Sequence, residues 1–425
     1  MHRTSRLTSA IELLGVLIAA PFLLFPSQYW PATISALACS AFLLTRQLVF
    51  GLPQGRIAVV VISLVWVATC SLFRTYDLAV SIDKVCGVVL GATLFFALTK
   101  WANTEARRRV LLQCYAICGG VFALIALVGT SWSNKSSILG TWASSIPGSL
   151  RGIPGAEDGF NPNAVGGTLL LVIPIQLALL YETNMFRDTE ALNDRPWLSS
   201  GLRLATWASA AASMLAFLLC QSRSAAVGLG VGGLTVIVAT ATKRRAWLPI
   251  VAAMVVSMCM VLYVVVNPVV TWTQMGGRPG EIEVTRVEIW SSAVSAIWGN
   301  PMGLGMNVFR KILPVRYPTA HSGLDTDVAH AHNHLLQAAL DLGVVGLIVY
   351  SALWIEALRA AARLCRAAGN SAIAPAMLAG LLAYFIFNSV DTIPLGAKAG
   401  NVLWVFLALV VSESRRPDQV VNTGT

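Results

Sequence analysis

Long apolar stretches alternate with short polar ones along most of the chain. A helix that crosses a bilayer needs about 20 mostly apolar residues, and that window can be moved along the sequence. It selects twelve candidate spans, at residues 8–25, 31–45, 56–73, 79–98, 109–129, 164–181, 203–221, 224–241, 247–267, 334–357, 371–390 and 396–412. The pattern therefore predicts an all-α integral membrane protein with about twelve transmembrane helices, organised as one polytopic domain over residues 1–425.

Only two segments between the predicted spans are long enough to build anything. One covers about residues 130–163, and the other is a loop at 268–333 between the ninth and tenth spans. Within the second loop, Thr285 and Glu288 have the spacing of a capping box, and apolar residues then recur at helical intervals up to Gly299. We expect an amphipathic surface helix at about 285–298, so the loop is predicted to be partly helical.

Composition agrees with a membrane protein and sets its orientation. Hydrophobic residues make up 56% of the chain, charged residues 12%, and the mean hydropathy is +0.70. Most Lys and Arg residues fall on one side if both termini are cytoplasmic, including clusters at 107–109 and 243–245. The net charge of +10 then reflects topology and contact with membrane lipid. Nucleic acid is not an expected partner, and the 268–333 loop is predicted to lie outside.

Four of the five histidines lie close together in that outer loop. They fall at 321–334, around the stretch DTDVAHAHNH, which also contains two aspartates. Three interpretations are open: a metal site, since zinc is often held by closely spaced His and Asp; a catalytic base, since neutral imidazole accepts a proton near pH 7; or a polar loop end. A helix that begins by His334 weakens the three-histidine metal set, so we favour the base.

Three isolated charges near the predicted outer edge need an explanation. Arg223 lies in a turn between two spans, where a cation is costly unless it is paired or faces water. Arg286 lies in the first turn of the predicted surface helix, where it could bind an anion or pair with a nearby glutamate. Asp391 follows a span and could pair with a cation or orient a histidine. Each residue also has the alternative of a solvated or lipid-headgroup position without a catalytic role.

Several motifs resemble one known family. His332-Asn333, nine residues, Gly343, two residues and Gly346 are similar to the H-N-x9-G-x-x-G pattern of the O-antigen ligases and the related Wzy-type polymerases. Further segments resemble the same family: Gln221-Ser222-Arg223-Ser224, Arg286 ahead of Asn300-Pro301-Met302-Gly303-Leu304-Gly305, and Asn161-Pro162-Asn163. Asp341 stands where the family often has Glu, and His330 and His334 are not part of the pattern.

The resemblance implies a fold and an activity. It implies a GT-C-like glycosyltransferase in the bacterial inner membrane that moves a glycan from undecaprenyl diphosphate to a sugar hydroxyl of lipid A-core, on the periplasmic side. His332 would be the general base, and Arg223 and Arg286 would bind the donor diphosphate. The residues implied in supporting positions are Asp391, Arg151, Lys84, Asn333 and Asn163. No metal and no cofactor would be needed, and the reaction would invert the anomeric carbon.

Other functions fit the same sequence. Within the superfamily, an O-antigen polymerase would use a second lipid-linked glycan as acceptor. A protein O-oligosaccharyltransferase is less expected, because such relatives usually carry an additional C-terminal region and this sequence ends at Thr425. From another class, a transporter of lipid-linked sugars would use Arg223 and Asp391 as pathway charges, and its important residues should lie near the bilayer midplane.

Overall fold

A computed structural model describes residues 2–26, 30–49, 55–130, 159–185, 200–241, 286–319, 328–367 and 371–415, together with four single positions between these ranges. Within them the regular structure is helical, apart from one isolated bridge between Thr130 and Phe160. The helices are α1 (His2–Leu24), α2 (Trp30–Val49), α3 (Arg56–Ser71), α4 (Leu78–Trp101), α5 (Glu105–Gly129), α6 (Pro162–Met185), α7 (Ser200–Cys220), α8 (Arg223–Ala241), α9 (Arg286–Gly299), α10 (Phe309–Arg316), α11 (His334–Ala367), α12 (Ile373–Val390) and α13 (Asn401–Glu413).

Eleven of the twelve predicted spans coincide with helices. The remaining span, at 247–267, lies almost wholly outside the described residues. Seven of the described helices are long and apolar enough to cross a membrane, and α1 and α3 contain shorter apolar stretches. The all-helical membrane fold is thus confirmed, while the number twelve and the GT-C likeness stay predictions.

Several helices differ by a few residues from their predicted bounds, and two of the differences have a visible reason. The polar end of α11 extends the helix to Ala367, ten residues beyond the predicted limit. The last helix begins at Asn401 instead of residue 396, because Pro394 accepts a turn hydrogen bond from Ala397 and Gly396 has a left-handed φ of 77°.

The helix α12 lies at the centre of the bundle. Each of its residues from Ile373 to Val390 is buried except Phe385. Large apolar side chains on the surrounding helices are exposed instead, among them Ile11, Leu14, Trp66, Leu204 and Ile237. An exposed apolar belt of this kind is stable only against lipid, so the outer helices face the bilayer and α12 is shielded from it.

Charged residues show which helix ends lie together. Glu12 of α1 accepts hydrogen bonds from Arg46 at the end of α2 and from Lys100 at the end of α4, the latter at 2.7 Å. At the other end of the bundle, Tyr76 and Ser81 hydrogen-bond the backbone of Leu304 and Met306. The cations predicted to be inside therefore share one end, and the loop predicted to be outside shares the other.

A small helical cap covers that second end. Helices α9 and α10 have their own apolar cluster, built on Ile289, Trp290, Phe309 and Leu313. The cluster also includes Leu340 of α11 and Ala331 just before it. Residues 286–299 thus form the helix predicted at 285–298, although its expected N-cap Thr285 lies outside the described residues.

Candidate active site

The first turns of α11 are interrupted at Gly343. Its φ of 74° and ψ of −173° are not helical, and they free backbone groups for the neighbouring loop. Val344 donates its N–H to the carbonyl of Pro301 at 2.9 Å, and Leu340 accepts from Leu304 at 2.8 Å. A Cβ at position 343 would lie 2.5 Å from that same Pro301 carbonyl oxygen. Glycine is therefore required where α11 is joined to the loop.

The second glycine of the same motif, Gly346, leaves no room for a side chain in α11. A Cβ at Gly346 would lie 2.0 Å from the Cβ of Leu342. Nearby, the buried Asp341 accepts hydrogen bonds from Gln337 at 2.9 Å and from the backbone N–H of Asn307 at 3.0 Å. The histidine motif thus encodes one connected piece of structure that fixes the start of α11 against residues 301–307.

The backbone before α11 is held at Ala331, between the two histidines. Trp290 of α9 donates its indole N–H to the Ala331 carbonyl, and Gln337 accepts from the Ala331 N–H, both at 2.9 Å. Ala331 is fully buried. Because its donor and its acceptor are both used, the side chains of His330 and His332 leave the loop in fixed directions.

Asn333 joins the beginning of α11 to the end of α12. Its side-chain oxygen accepts from the N–H groups of Leu335 and Leu336, as a helix N-cap does. Its side-chain nitrogen donates to the carbonyl of Ser389 at 2.9 Å. The asparagine of the His-Asn pair is therefore a structural clamp that brings His332 to the residue after α12.

That residue is Asp391. The Nδ1 atom of His332 lies 3.1 Å from Oδ1 of Asp391, and His332 adopts a left-handed φ of 50°. His330 approaches the same carboxylate oxygen, with Nε2 at 3.6 Å. Its ring centroid is 4.4 Å from that of His332. Both imidazoles thus converge on one carboxylate.

The cation of the cluster is Arg286, the first residue of α9. Its Nη2 atom lies 3.9 Å from Oδ2 of Asp391. Burial raises the pKa of Asp391, but the two histidines and the Arg286 charge outweigh burial and hold that pKa well below its ordinary value. Burial lowers the pKa of Arg286, and the Asp391 charge opposes that shift. The site therefore contains an ionised carboxylate beside a guanidinium.

The pKa of His332 is shifted by the groups around it. Burial lowers its pKa from the ordinary 6.5, while the Asp391 carboxylate acts in the opposite direction, and the charges of His330 and Arg286 lower it further. Its side chain nevertheless keeps 27% of its surface accessible, against 5% for Asp391. The lowered pKa favours the neutral imidazole, and part of the ring stays accessible.

Three polar atoms of the cluster are buried without a hydrogen-bond partner among the described residues. They are Nη1 of Arg286, Nε2 of His330 and Oδ2 of Asp391. Buried polar atoms are nearly always satisfied in folded proteins, so this concentration marks a place for a polar ligand. His330, His332 and Asp391 also form a set whose ligand atoms lie within 4.8 Å of one another, as a metal site requires.

His334 takes no part in this cluster. It is buried, and its Nδ1 atom lies 3.1 Å from the hydroxyl of Tyr350. Trp354 and Phe385 contact its ring edge to face. It belongs to the aromatic core between α11 and α12, whereas His330, which is not part of the sequence motif, lies at the site. Alternate residues of an extended loop can face the same way, and that spacing is the signal in the sequence for His330.

Arg223 and Asn163 lie at the same end of the bundle as the cluster. A Cβ at Gly166, in the first turn of α6, would lie 3.3 Å from that of Ala225, in the first turn of α8. The next residue, Gly167, packs on Phe387 near the end of α12. Arg223 is exposed, and within the described part of the chain no hydrogen bond or ion pair joins it to His332 or Asp391. Its role stays a prediction.

The remaining two predicted residues lie elsewhere or outside the described ranges. Lys84 of α4 is 3.9 Å from Asp83, and its charge acts on Asp341. Its role at the site stays a prediction. Arg151 lies outside the described residues.

The fold and this cluster define the class: a multi-pass membrane protein with a histidine, a carboxylate and a guanidinium assembled at one end of its helix bundle. Residues 208–351 match the Wzy_C family, described as O-Antigen ligase. The resemblance seen in the sequence motifs is thus confirmed over this region, which is about a third of the chain. The match includes Arg223, Arg286 and His332 but ends before Asp391. No curated protein is significantly similar to the chain.

Proposed function

We propose that this protein is an O-antigen ligase of lipopolysaccharide biosynthesis. It transfers a glycan from undecaprenyl diphosphate to a sugar hydroxyl of lipid A-core, at the periplasmic face of the bacterial inner membrane. The observation that carries the proposal is the contact of Asp391 with both His332 and Arg286. These contacts support the proposal, because a base for the acceptor hydroxyl and a cation for the diphosphate would lie on either side of one carboxylate.

The low pKa of Asp391 determines which nitrogen of His332 acts as the base. An ionised carboxylate can only accept a hydrogen bond, so Nδ1 of His332 carries the proton that points to Asp391. The lone pair is then on Nε2. In the reaction, Nε2 takes the proton from the acceptor hydroxyl while the oxygen of that hydroxyl attacks the anomeric carbon.

The leaving group gives Arg286 its role. As the bond from the anomeric carbon to the diphosphate oxygen breaks, its electron pair stays on the diphosphate, and negative charge develops there. Arg286 has a buried Nη1 atom that no described group satisfies, and a guanidinium binds phosphate oxygens through two parallel hydrogen bonds. Arg223 would supply a second cation from the turn between α7 and α8. Attack opposite the leaving group inverts the anomeric carbon.

Two guanidiniums supply the positive charge that a divalent ion provides in many enzymes acting on phosphates. The metal-independent reaction is supported by the position of Arg286, whose charge already faces Asp391. The set formed by His330, His332 and Asp391 would lose its free imidazole if it held a metal, because coordination uses the nitrogen lone pair. Metal binding there is therefore expected to oppose base catalysis.

The decisive experiment is a reaction of the purified protein with undecaprenyl diphosphate-linked glycan and two acceptors offered together. These acceptors are lipid A-core and a second lipid-linked glycan. Extension of lipid A-core alone supports the ligase, and growth of the lipid-linked glycan identifies a polymerase. Movement of the donor across proteoliposomes without any new glycosidic bond identifies a transporter and refutes the proposal.

A further inference from the structure

A polar cavity lies at the opposite end of the bundle from His332. Its volume is about 440 Å³, and it is bounded by the first residues of α3, the second half of α11 and the last turn of α13. Arg359 on its wall follows His334 by 25 residues of α11, which at 1.5 Å per residue is roughly 37 Å. The cavity is therefore separate from the site proposed for glycan transfer.

Three arginines and one glutamate line this cavity: Arg56, Arg359, Arg363 and Glu356. Arg359 donates to Glu356 at 2.7 Å, so that pair is neutral. Arg56 and Arg363 are exposed, and within the described ranges neither side chain has an ion pair or a hydrogen bond. Two guanidiniums are thus left facing a common space without a counter-charge from the described chain.

The backbone adds to the positive character of the same wall. Helix α3 begins at Arg56, and its cap residue Gly55 has no side chain that could accept from the first N–H groups. A helix N-terminus carries a partial positive charge and binds anions. Ile57, Ala360 and Val411 supply apolar surface beside the arginines, so a ligand with an anionic head and an apolar part would fit.

We infer that this cavity binds a phosphate-bearing anion, in which Arg56 and Arg363 hold the phosphate oxygens. A phosphate is preferred over a single carboxylate because two guanidinium forks and a helix N-terminus offer more donors than one carboxylate can accept. Basic pockets between membrane helices bind lipid headgroups, and inorganic phosphate has the same chemistry. The inference does not depend on the proposed glycan transfer.

The test uses the full protein in nanodiscs and compares Arg363→Gln with Arg366→Gln. Arg366 lies in the same helix and is exposed, but it does not line the cavity. The two variants thus lose the same charge from neighbouring turns. The measurements are the Tm and the number of phospholipids retained in native mass spectrometry, in discs of phosphatidylcholine with or without phosphatidylglycerol.

Retained phosphatidylglycerol and a raised Tm are expected for the wild type and for Arg366→Gln. Arg363→Gln should bind this lipid at least about fivefold more weakly, and Arg56→Gln should match it. Arg363→Lys, which keeps the charge, should recover part of the binding. Inorganic phosphate added to pure phosphatidylcholine discs distinguishes a free-phosphate site, which would raise the Tm without anionic lipid. Equal losses of phosphatidylglycerol binding in Arg363→Gln and Arg366→Gln would overturn the inference. So would a wild-type Tm that responds neither to phosphatidylglycerol nor to inorganic phosphate.

Discussion

His332 and Asp391 are 59 positions apart in the chain, yet Nδ1 of one lies 3.1 Å from Oδ1 of the other. The contact forms where α11 begins and where α12 ends, and Asn333 ties those two ends together through the Ser389 carbonyl. The carboxylate therefore fixes both the orientation and the tautomer of the imidazole. The proposed reaction depends on this pair, and the variants below test it.

Replacing His332 by Ala should reduce glycan transfer by about 10² to 10⁴-fold, the usual contribution of a general base. The measurement is the initial rate of product formation with purified protein in nanodiscs. His2→Ala is the control, since it removes a histidine from the other end of the bundle. Full transfer by a correctly inserted His332→Ala protein would exclude the base role.

The pH dependence should show opposite shifts in two variants. Transfer needs neutral His332, and burial places the pKa of His332 below 6.5, so the acidic limb of kcat/KM should fall below pH 6.5. The Asp391 charge raises this pKa and the His330 charge lowers it. Asp391→Asn should therefore move the limb to lower pH and reduce the maximal rate, whereas His330→Ala should move it to higher pH.

An acidic limb that does not move in either of these variants would show that another group controls it. A control variant, Arg366→Gln, changes a charge far from the site and should leave the profile in place.

Arg286→Lys should reduce transfer by about tenfold or more, and Arg286→Ala by about 10²-fold. Lys keeps the charge but loses the paired donors that fit a diphosphate. Rates at saturating and at low donor concentration separate ground-state binding from stabilisation of the leaving group. Arg316→Lys, in the same cap, is the matched control. The guanidinium of Arg316 contacts Tyr76 and not Asp391. If Arg286→Lys keeps wild-type rates, the bidentate contact is not used.

Chelation should leave the reaction intact. EDTA is expected not to change the initial rate, since the two arginines supply the positive charge. Added zinc should lower the rate, because binding to His330, His332 and Asp391 occupies the lone pair of the base. His330→Ala removes one ligand and should weaken zinc inhibition. Loss of activity in EDTA that zinc restores would show instead that the metal is required.

Gly343→Ala should lower the Tm and the yield of inserted protein. Its left-handed φ and the 2.5 Å approach of the Pro301 oxygen leave no room for a methyl group without moving backbone. Gly230→Ala is a matched control, since a Cβ there meets nothing within 4 Å. It should have the Tm of the wild type or slightly above it. Equal behaviour of the two variants would contradict the role given to the break in α11.

The sequence was sufficient to predict the helices and three members of the cluster. Arg286 and Asp391 could be selected because isolated charges at predicted helix ends are costly without a purpose, and His332 because its spacing to Gly343 and Gly346 resembles the family motif. Their convergence could not be predicted, since it depends on α9 packing against α11 through Trp290 and Ala331. His330 was left without a role because it is not part of the motif, although its spacing of two residues from His332 was visible in the sequence. Lys84 forms its ion pair with the neighbouring Asp83, and charge alone does not tell which carboxylate a lysine will pair with.

The hydrogen bonds at Ala331 have a consequence for how the catalytic groups meet the substrate. Turning this loop would break two buried hydrogen bonds, each worth about 1 kcal/mol and more if left unmade. In the proposed glycan transfer, the imidazole would therefore be pre-organised before either substrate binds. A change at Trp290 should then alter the rate of transfer through the orientation of His332, without removing a group that contacts either substrate.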